Sequence, residues 1–336
     1  MSSLELKEKS FSCLRFEEFG SPSKLNLCEL PKPTLGSDEV LVQVEAAGVN
    51  PSDVKNVQGV MKNTTLPRIP GRDFAGIVIE GPDSLLGKTV WGTGGDVGFT
   101  RDGSHSRLLV IPQEAVTPIP NSLSLEEAGS VGVAYVTAWL CVVDAAKVQA
   151  GETLLVIGAT GAVGSAATQI AKWKGGTVIN VIRRQSDWEF VKGNGADEII
   201  NVQDTELSSA IASLTDHRGV NVIVDTVGGE WVEKCLQLLA PQGRLTEISA
   251  PANERRISFD LIDFYRRQAR LIGVDSRVHG VVACAKILQQ LTAGFEGSFL
   301  KPFMNLETYP LSEGVKAYEA VLNRTTSKKV VLKPSL

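Results

Sequence analysis

Seven residues, Gly158-Ala159-Thr160-Gly161-Ala162-Val163-Gly164, follow the apolar run Thr153-Leu154-Leu155-Val156-Ile157 and precede an amphipathic stretch that reaches Lys174. A strand, a glycine turn and a helix in that order can cradle phosphates. Glycines let the backbone turn tightly and approach a pyrophosphate, while free N–H groups and the positive dipole end of the helix attract it. The spacing is GxxGxxG rather than GxGxxG, so its force comes from context, a βαβ unit whose second strand, Thr177 to Ile182, lies at the right distance. The competing reading is a set of glycines that only lets helix and strand pack closely. Where that second strand ends, an acidic residue would accept from a ribose 2′-hydroxyl, but the chain carries Arg183 and Arg184. Two guanidiniums suit a 2′-phosphate, so NADPH is the expected dinucleotide. The alternative is a solvated pair of arginines beside Asp187 and Glu189.

These residues need a scaffold, and 336 residues with 43% hydrophobic content can bury two cores. Up to residue 120 the chain reads as short β-rich runs punctuated by Gly and Pro, such as Leu41-Val42-Gln43-Val44, Gly76-Ile77-Val78-Ile79 and Leu108-Leu109-Val110-Ile111. That texture predicts a small barrel. From about Gly151 apolar strands alternate with helical stretches, the pattern of a parallel sheet covered on both faces. Strands are expected at 153–157, 177–182, 198–201, 221–225, 243–248 and 270–274, with helices near 162–174, 205–214 and 231–239. Six such strands complete a doubly wound sheet.

Composition excludes several function classes. A net charge of −4 with mixed signs offers no field for nucleic acid or an anionic membrane. No run approaches the roughly 18 apolar residues of a membrane span, and the first ten residues lack the apolar core of a secretory signal. Five cysteines without a CxxC pair argue against a disulfide framework or a structural zinc site, so a cytoplasmic protein is expected. The three histidines, His105, His217 and His279, lie in separate segments and read as solvated or rim residues.

The chain resembles the medium-chain dehydrogenase/reductase superfamily, and within it the zeta-crystallin-like NADPH quinone oxidoreductases. The likeness rests on Ala47-Gly48-Val49-Asn50-Pro51-Ser52-Asp53, Ile69-Pro70-Gly71-Arg72-Asp73-Phe74-Ala75-Gly76, Tyr135-Val136-Thr137-Ala138, the 158–164 turn, Asn194 to Asn201, Asp225-Thr226-Val227-Gly228-Gly229 and Leu300-Lys301-Pro302. It implies an α/β fold, a GroES-like partial β-barrel domain (residues 1–131 and 277–336) into which a Rossmann domain (132–276) is inserted. Zinc alcohol dehydrogenases of the superfamily carry a Cys where this chain has Asn50, a His-Glu pair at Arg72-Asp73 and a second Cys at Val133. Only Asp73 could serve as a ligand, so a metal-free site is expected.

Without zinc to polarise an oxygen, the acceptor must take hydride readily by itself, as quinones and conjugated enones do. Asn50, in the place of a lost zinc ligand, is the first candidate donor to the acceptor oxygen; equally, its amide could only cap the Pro51 turn. Asp53 and Lys55 could orient it or form a plain salt link. By family position Tyr135 would shape the acceptor cleft, and Thr137, Ser249, Val274 and Ser276 would meet the nicotinamide end of the cofactor; Tyr135 and Thr137 could instead be core. Enoyl-thioester reductases place a tyrosine shortly after the Asn-Pro-Ser-Asp stretch, and Gln58-Gly59-Val60-Met61-Lys62 holds none. The expected function is NADPH-dependent reduction of a quinone; the alternative is NADPH-dependent reduction of the conjugated double bond of 2-alkenals, enones or enoyl thioesters. A protein that senses NADPH without turnover is the reading from another class. The edge strand near 270–274, where relatives pair their sheets, favours a homodimer.

Overall fold

The computed structural model describes residues 9–335. They divide into two compact units: one runs up to Val133 and includes Ser276–Glu296 and Pro302–Leu336; the other is Ala134–Asp275 with Gly297–Lys301.

The first unit is β-rich because its sequence is. β1 (Ser10–Arg15) and β2 (Asn26–Pro31) form an antiparallel pair. β3 (Glu39–Gly48) leads into the short α1 (Pro51–Val57), and β4 (Phe74–Glu80), β5 (Thr89–Gly92), β6 (Leu108–Pro112) and β7 (Thr117–Pro118) follow. β3 is the hub, antiparallel to both β4 and β6. Its Val40, Val42 and Val44 point into a core shared with Phe74, Val78 and Leu109. Each such aliphatic side chain removed from water contributes about 1.5–3 kcal/mol.

α2 (Leu125–Trp139) begins with a reciprocal cap: Ser124 N–H donates to Glu127 Oε2 (2.8 Å), and Glu127 N–H donates to Ser124 Oγ (3.2 Å). A π-helical turn, Leu140–Ala145, continues it. The resulting 21-residue segment has a mean hydropathy of 1.5 and is long and apolar enough to cross a membrane, which corrects the expectation that no run approaches that length. Its Gly, Ser and Thr residues break the apolar run without making the helix polar. In the structure most of the segment is buried, as a core helix would be.

The second unit follows the alternation in the sequence: β8 (Thr153–Ile157), α3 (Ala162–Trp173), β9 (Thr177–Ile182), α4 (Trp188–Gly193), β10 (Glu198–Asn201), α5 (Leu207–Leu214), β11 (Val220–Asp225), α6 (Glu230–Leu238), β12 (Leu239–Glu247), α7 (Leu261–Arg266) and β13 (Arg270–Gly273). The strands are parallel in the order β10-β9-β8-β11-β12-β13, the doubly wound arrangement expected. Leu154 to Ile157 are buried without alternation, because helices cover both faces of a parallel sheet. Returning to the first unit, α8 (Val281–Glu296), β14 (Leu306–Pro310), α9 (Gly314–Asn323) and β15 (Lys329–Lys333) follow, and β15 pairs with β3.

One ion pair secures the base of the parallel sheet. Arg244 on β12 grips Glu152 through both carboxylate oxygens (2.7 and 2.8 Å) and donates from Nε and Nη2 to Ala146 O (2.9 and 2.8 Å), capping the π turn. The two side chains are only 14% and 20% exposed. Arg244→Met should cost about 2 kcal/mol, since it leaves a shielded carboxylate and a carbonyl without donors, and should lower the Tm by several degrees. An unchanged Tm would mean that solvent replaces the guanidinium.

Candidate functional site

Each unit contributes a set of groups that can do chemistry. In the second unit, Gly158 takes φ +78°, and a Cβ there would lie 2.2 Å from Thr226 Oγ1. A Cβ on Gly164 would lie 2.3 Å from Gly158 O, so both positions require glycine. Gly161, the N-cap of α3, has no side chain to offer the first-turn N–H groups. Thr160, Gly161 and Ala162 are exposed, Val163 is half-buried, and Ala159 is buried. A tight turn with uncapped helix N–H groups open to solvent fits a dinucleotide pyrophosphate.

The two arginines at the end of β9 part company. Arg184 turns to Asp187 (Nε to Oδ2, 3.2 Å) and is 72% exposed. Arg183 stacks its guanidinium over Trp231, 5.4 Å from the ring centroid, and lines a cleft of about 390 Å³ with Gln203, Thr205, Glu206, Trp231 and Lys234. Among the described residues Arg183 forms no ion pair. Lys234 Nζ also lies 5.4 Å from the Trp231 centroid and pairs with Glu230 at 3.1 Å. Sequence reasoning missed Trp231 and Lys234; the available signal was a tryptophan on a strongly amphipathic helix with a lysine one turn later. Glu206 is spent on α5, accepting from Ser208 N–H (3.0 Å) and Ser209 N–H (2.7 Å). Bonds from Ser208 and Ser209 pull its carboxyl down to about 2.

At the carboxyl ends of β11 and β12, the register partners Asp225 and Glu247 hold the loops that follow them. Asp225 Oδ1 accepts from Val227 N–H (2.8 Å) and Gly228 N–H (3.0 Å), and Glu247 Oε1 accepts from Ser249 N–H (2.8 Å). Ser249 is half-buried, and Val274 N–H donates to Glu247 O at 2.9 Å. Thr137 is buried, 6% exposed. Three of the expected site residues are engaged elsewhere. Tyr135 is fully buried and its hydroxyl donates to Lys301 O, which favours the core position that was its alternative. Ser276 belongs to the first unit, where Arg72 Nη2 donates to its Oγ at 3.3 Å, so its hydroxyl is already engaged. Arg184, held by Asp187, does not line the cleft beside Arg183.

In the first unit, Asp73 is fully buried. Its Oδ2 accepts from Asn50 Nδ2 (2.9 Å), its Oδ1 from Val133 N–H (2.6 Å), and its carbonyl from Ser104 Oγ (2.6 Å). Asn50 Oδ1 accepts from the Lys329 ammonium at 2.6 Å. The amide is thus not a mere cap: it bridges an anion and a cation. Asn50 remains the N-cap of α1, and Asp53 at N3 returns the capping-box bond, its Oδ2 accepting from Asn50 N–H at 2.8 Å. Asp53 is fully buried while Lys55 is exposed, which corrects the salt link expected between them. His105 is also fully buried, not a rim residue; Tyr318 O–H donates to its Nδ1 (2.8 Å), and its Nε2 faces Gly48 O at 3.3 Å. His217 is exposed and His279 half-buried.

Positions 50, 73 and 133 therefore meet, and their side chains offer one metal ligand among them, the Asp73 carboxylate. One of the three side chains is a carboxylate, one an amide and one an isopropyl group, and both Asp73 oxygens already accept hydrogen bonds. Among the described residues no group of three or more His, Cys, Asp or Glu is placed to hold a metal.

Two buried groups give the network opposite pH responses. Burial pushes the Asp53 carboxyl up to about 7, so folding stability is lost as pH rises from the unfolded value near 4 toward 7. Burial pushes His105 down to about 3, so its stability contribution is lost as pH falls below about 6.5. Asp53→Asn removes the first effect and keeps an acceptor for Asn50 N–H. Its stability relative to the parent should therefore improve by about 1–3 kcal/mol between pH 4 and pH 7, measured by thermal melts across that range. A pH-independent difference would show that Asp53 titrates normally.

Comparisons place this geometry. Residues 36–121 match the alcohol dehydrogenase GroES-like domain family, and residues 162–287 match the zinc-binding dehydrogenase family. The chain is 36% identical over 331 residues to a zinc-type alcohol dehydrogenase-like protein of Schizosaccharomyces pombe, covering 97% of this chain and 95% of that one. It is 29% identical over 334 residues to the quinone oxidoreductase of Mus musculus, covering 97% and 98%. An alcohol dehydrogenase superfamily protein from Novosphingobium aromaticivorans superposes with a TM-score of 0.85 at 27% identity, covering 96% of this chain and 99% of that one. With a relative this similar along nearly its whole length, the chain is an oxidoreductase of the medium-chain dehydrogenase/reductase superfamily, whose members use nicotinamide cofactors, and it groups with the quinone oxidoreductase-like proteins.

Proposed function

We propose that the protein reduces quinones with NADPH and without a metal. The observation that supports this reading is the Asn50–Asp73–Lys329 network, in which Asn50 and Asp73 stand at two of the positions where the zinc relatives have ligands and each Asp73 oxygen already accepts a hydrogen bond. Residues Gly158 to Gly164 would hold the pyrophosphate. Arg183 would meet the 2′-phosphate, with Lys234 on the same cleft as a second cation. Thr137, Ser249 and Val274 would line the nicotinamide riboside. Bound there, the reduced nicotinamide supplies hydride. Asn50 Nδ2 has a second N–H beyond the one given to Asp73, and the ammonium on its Oδ1 polarises the amide, so it is the proposed donor to the oxygen on which charge develops. A quinone takes hydride without a Lewis acid because its conjugation spreads the charge, and reduction ends with uptake of a proton.

A homodimer through β13 is part of the proposal. β13 is the sheet's edge strand, and near it Leu261, Ile262 and Tyr265 are 64%, 53% and 56% exposed. Large apolar side chains around an unpaired strand edge favour pairing with a second copy. A reducing compartment, the cytoplasm, fits five unpaired cysteines. In sedimentation experiments the parent should run as a dimer, and Tyr265→Glu combined with Leu261→Glu as a monomer; a monomeric parent removes the assignment.

Purified protein should oxidise NADPH in preference to NADH with 9,10-phenanthrenequinone. Arg183→Ala should raise the NADPH KM more than about tenfold, as expected for a lost charge-assisted bond of roughly 1.5–3 kcal/mol. Arg184→Ala should change it far less, because that side chain is paired with Asp187. Retention of the parental cofactor preference by Arg183→Ala sinks the phosphate assignment. Turnover of 2-alkenals but not of quinones would make the protein a double-bond reductase, and binding without turnover would make it a sensor.

A further inference from the structure

Cys13 and Cys28 are register partners across the β1–β2 ladder, and their sulfurs lie 3.4 Å apart. A disulfide spans about 2.05 Å, so closure needs a movement of about 1.4 Å, within reach of small χ1 rotations. The two thiols have different surroundings. Cys13 is fully buried beside Phe11 and Ile69, whereas Cys28 is half-buried at the edge of that cluster. Burial, and then the neighbouring Cys28, holds the Cys13 thiol protonated well above its usual range. Among the described residues β2 pairs with β1 alone, and the two cysteines sit in the small cluster of Phe11, Ile69, Leu30 and Leu108. The other three cysteines, Cys141, Cys235 and Cys284, are buried and lie on separate elements.

We propose that Cys13 and Cys28 form a redox site oxidised by hydroperoxides, with Cys28 as the attacked thiol and Cys13 as the resolving one. The accessible member of a pair meets the oxidant first. The Cys28 thiolate attacks one peroxide oxygen, the O–O bond breaks, and water or an alcohol leaves after protonation while Cys28 becomes a sulfenic acid. The Cys13 sulfur then attacks the Cys28 sulfur, the S–O bond breaks, and the Cys13 proton departs with the hydroxide as water. Two electrons pass from the thiols to the peroxide, and a dithiol reductant reverses the change. The bond would fix β1, whose Leu14 N–H donates to His105 O (2.9 Å) and whose Ser12 O accepts from Arg107 N–H (3.0 Å).

The test treats the full chain with hydrogen peroxide, followed by digestion and mass spectrometry without reductant. A Cys13–Cys28 linked peptide pair, lighter by two hydrogens and restored by dithiothreitol, is expected before modification of Cys141, Cys235 or Cys284. Cys13→Ala should leave a Cys28 sulfenic acid that dimedone traps, and Cys28→Ser should leave Cys13 unmodified over the same period. The proposal fails if the parent gives no linked peptide while other cysteines oxidise. It fails equally if Cys13 in Cys28→Ser reacts as fast as Cys28 in Cys13→Ala.

Discussion

A carboxylate buried beyond reach of water must have its oxygens answered by donors, or it costs several kcal/mol. Asp73 meets that demand with a side-chain amide from the start of α1 and a backbone N–H from α2. The close approach of α2 depends on Gly132, where a Cβ would lie 2.6 Å from Asp73 Oδ1. Lys329, arriving on β15 after some 280 residues of chain, completes the circuit by donating to Asn50. Strand order, helix position and side-chain orientation in the first unit are thus tied to one charge. The same circuit fixes the amide plane of Asn50 from both ends and leaves one N–H for the proposed donation.

The parallel sheet of the second unit solves the complementary problem of exposed loops on a buried scaffold. Most side chains of its central strands are apolar, so few within them can anchor the loops at their carboxyl ends. Asp225 and Glu247, the last residues of neighbouring strands, take that role through bonds to Val227, Gly228 and Ser249 N–H. Burial first, and then the adjacent Asp225, raises the Glu247 carboxyl well above the usual range, and burial raises Asp225 too. Two carboxyls this close hold a proton near neutrality, so the pair orders two loops without placing a full double negative charge beside a site meant for an anionic cofactor.

Much of this was legible in the sequence. The strands of the doubly wound sheet could be read because the central ones, β8, β9 and β11, are nearly continuous buried apolar runs, and the turn at Gly158 to Gly164 because a tight turn needs glycine where a Cβ would clash. Side-chain partnerships were harder. Arg183 and Arg184 are adjacent and identical in type, and only Asp187 on one side and Trp231, 48 positions from Arg183, on the other distinguish them. Asn50 looked like a cap or a donor; its bonds to Asp73 and Lys329 come from distant segments that no local pattern links. Tyr135 sits at helical spacing among apolar residues, the pattern of a core position, and family position pointed the other way. His105 misled because histidine is usually exposed, and the buried acceptor that satisfies it, Gly48 O, is a main-chain atom that sequence does not advertise.

The proposed reaction follows from what an amide can and cannot do in the place of a metal. A zinc ion withdraws electron density from a bound oxygen and stabilises an alkoxide directly, which makes a simple alcohol or ketone reactive. A neutral N–H, even with an ammonium on the far end of its amide, donates a hydrogen bond of about 1.5–3 kcal/mol. That is enough to steady an oxyanion whose charge is already spread over a conjugated ring, and far short of what an isolated carbonyl requires. Taken with the family position of Asn50, the buried circuit around Asp73 therefore supports the proposed acceptor, one that brings its own delocalisation. Within such acceptors a quinone has the advantage over an enone: reduction restores an aromatic ring, so the acceptor itself supplies driving force that an amide donor does not.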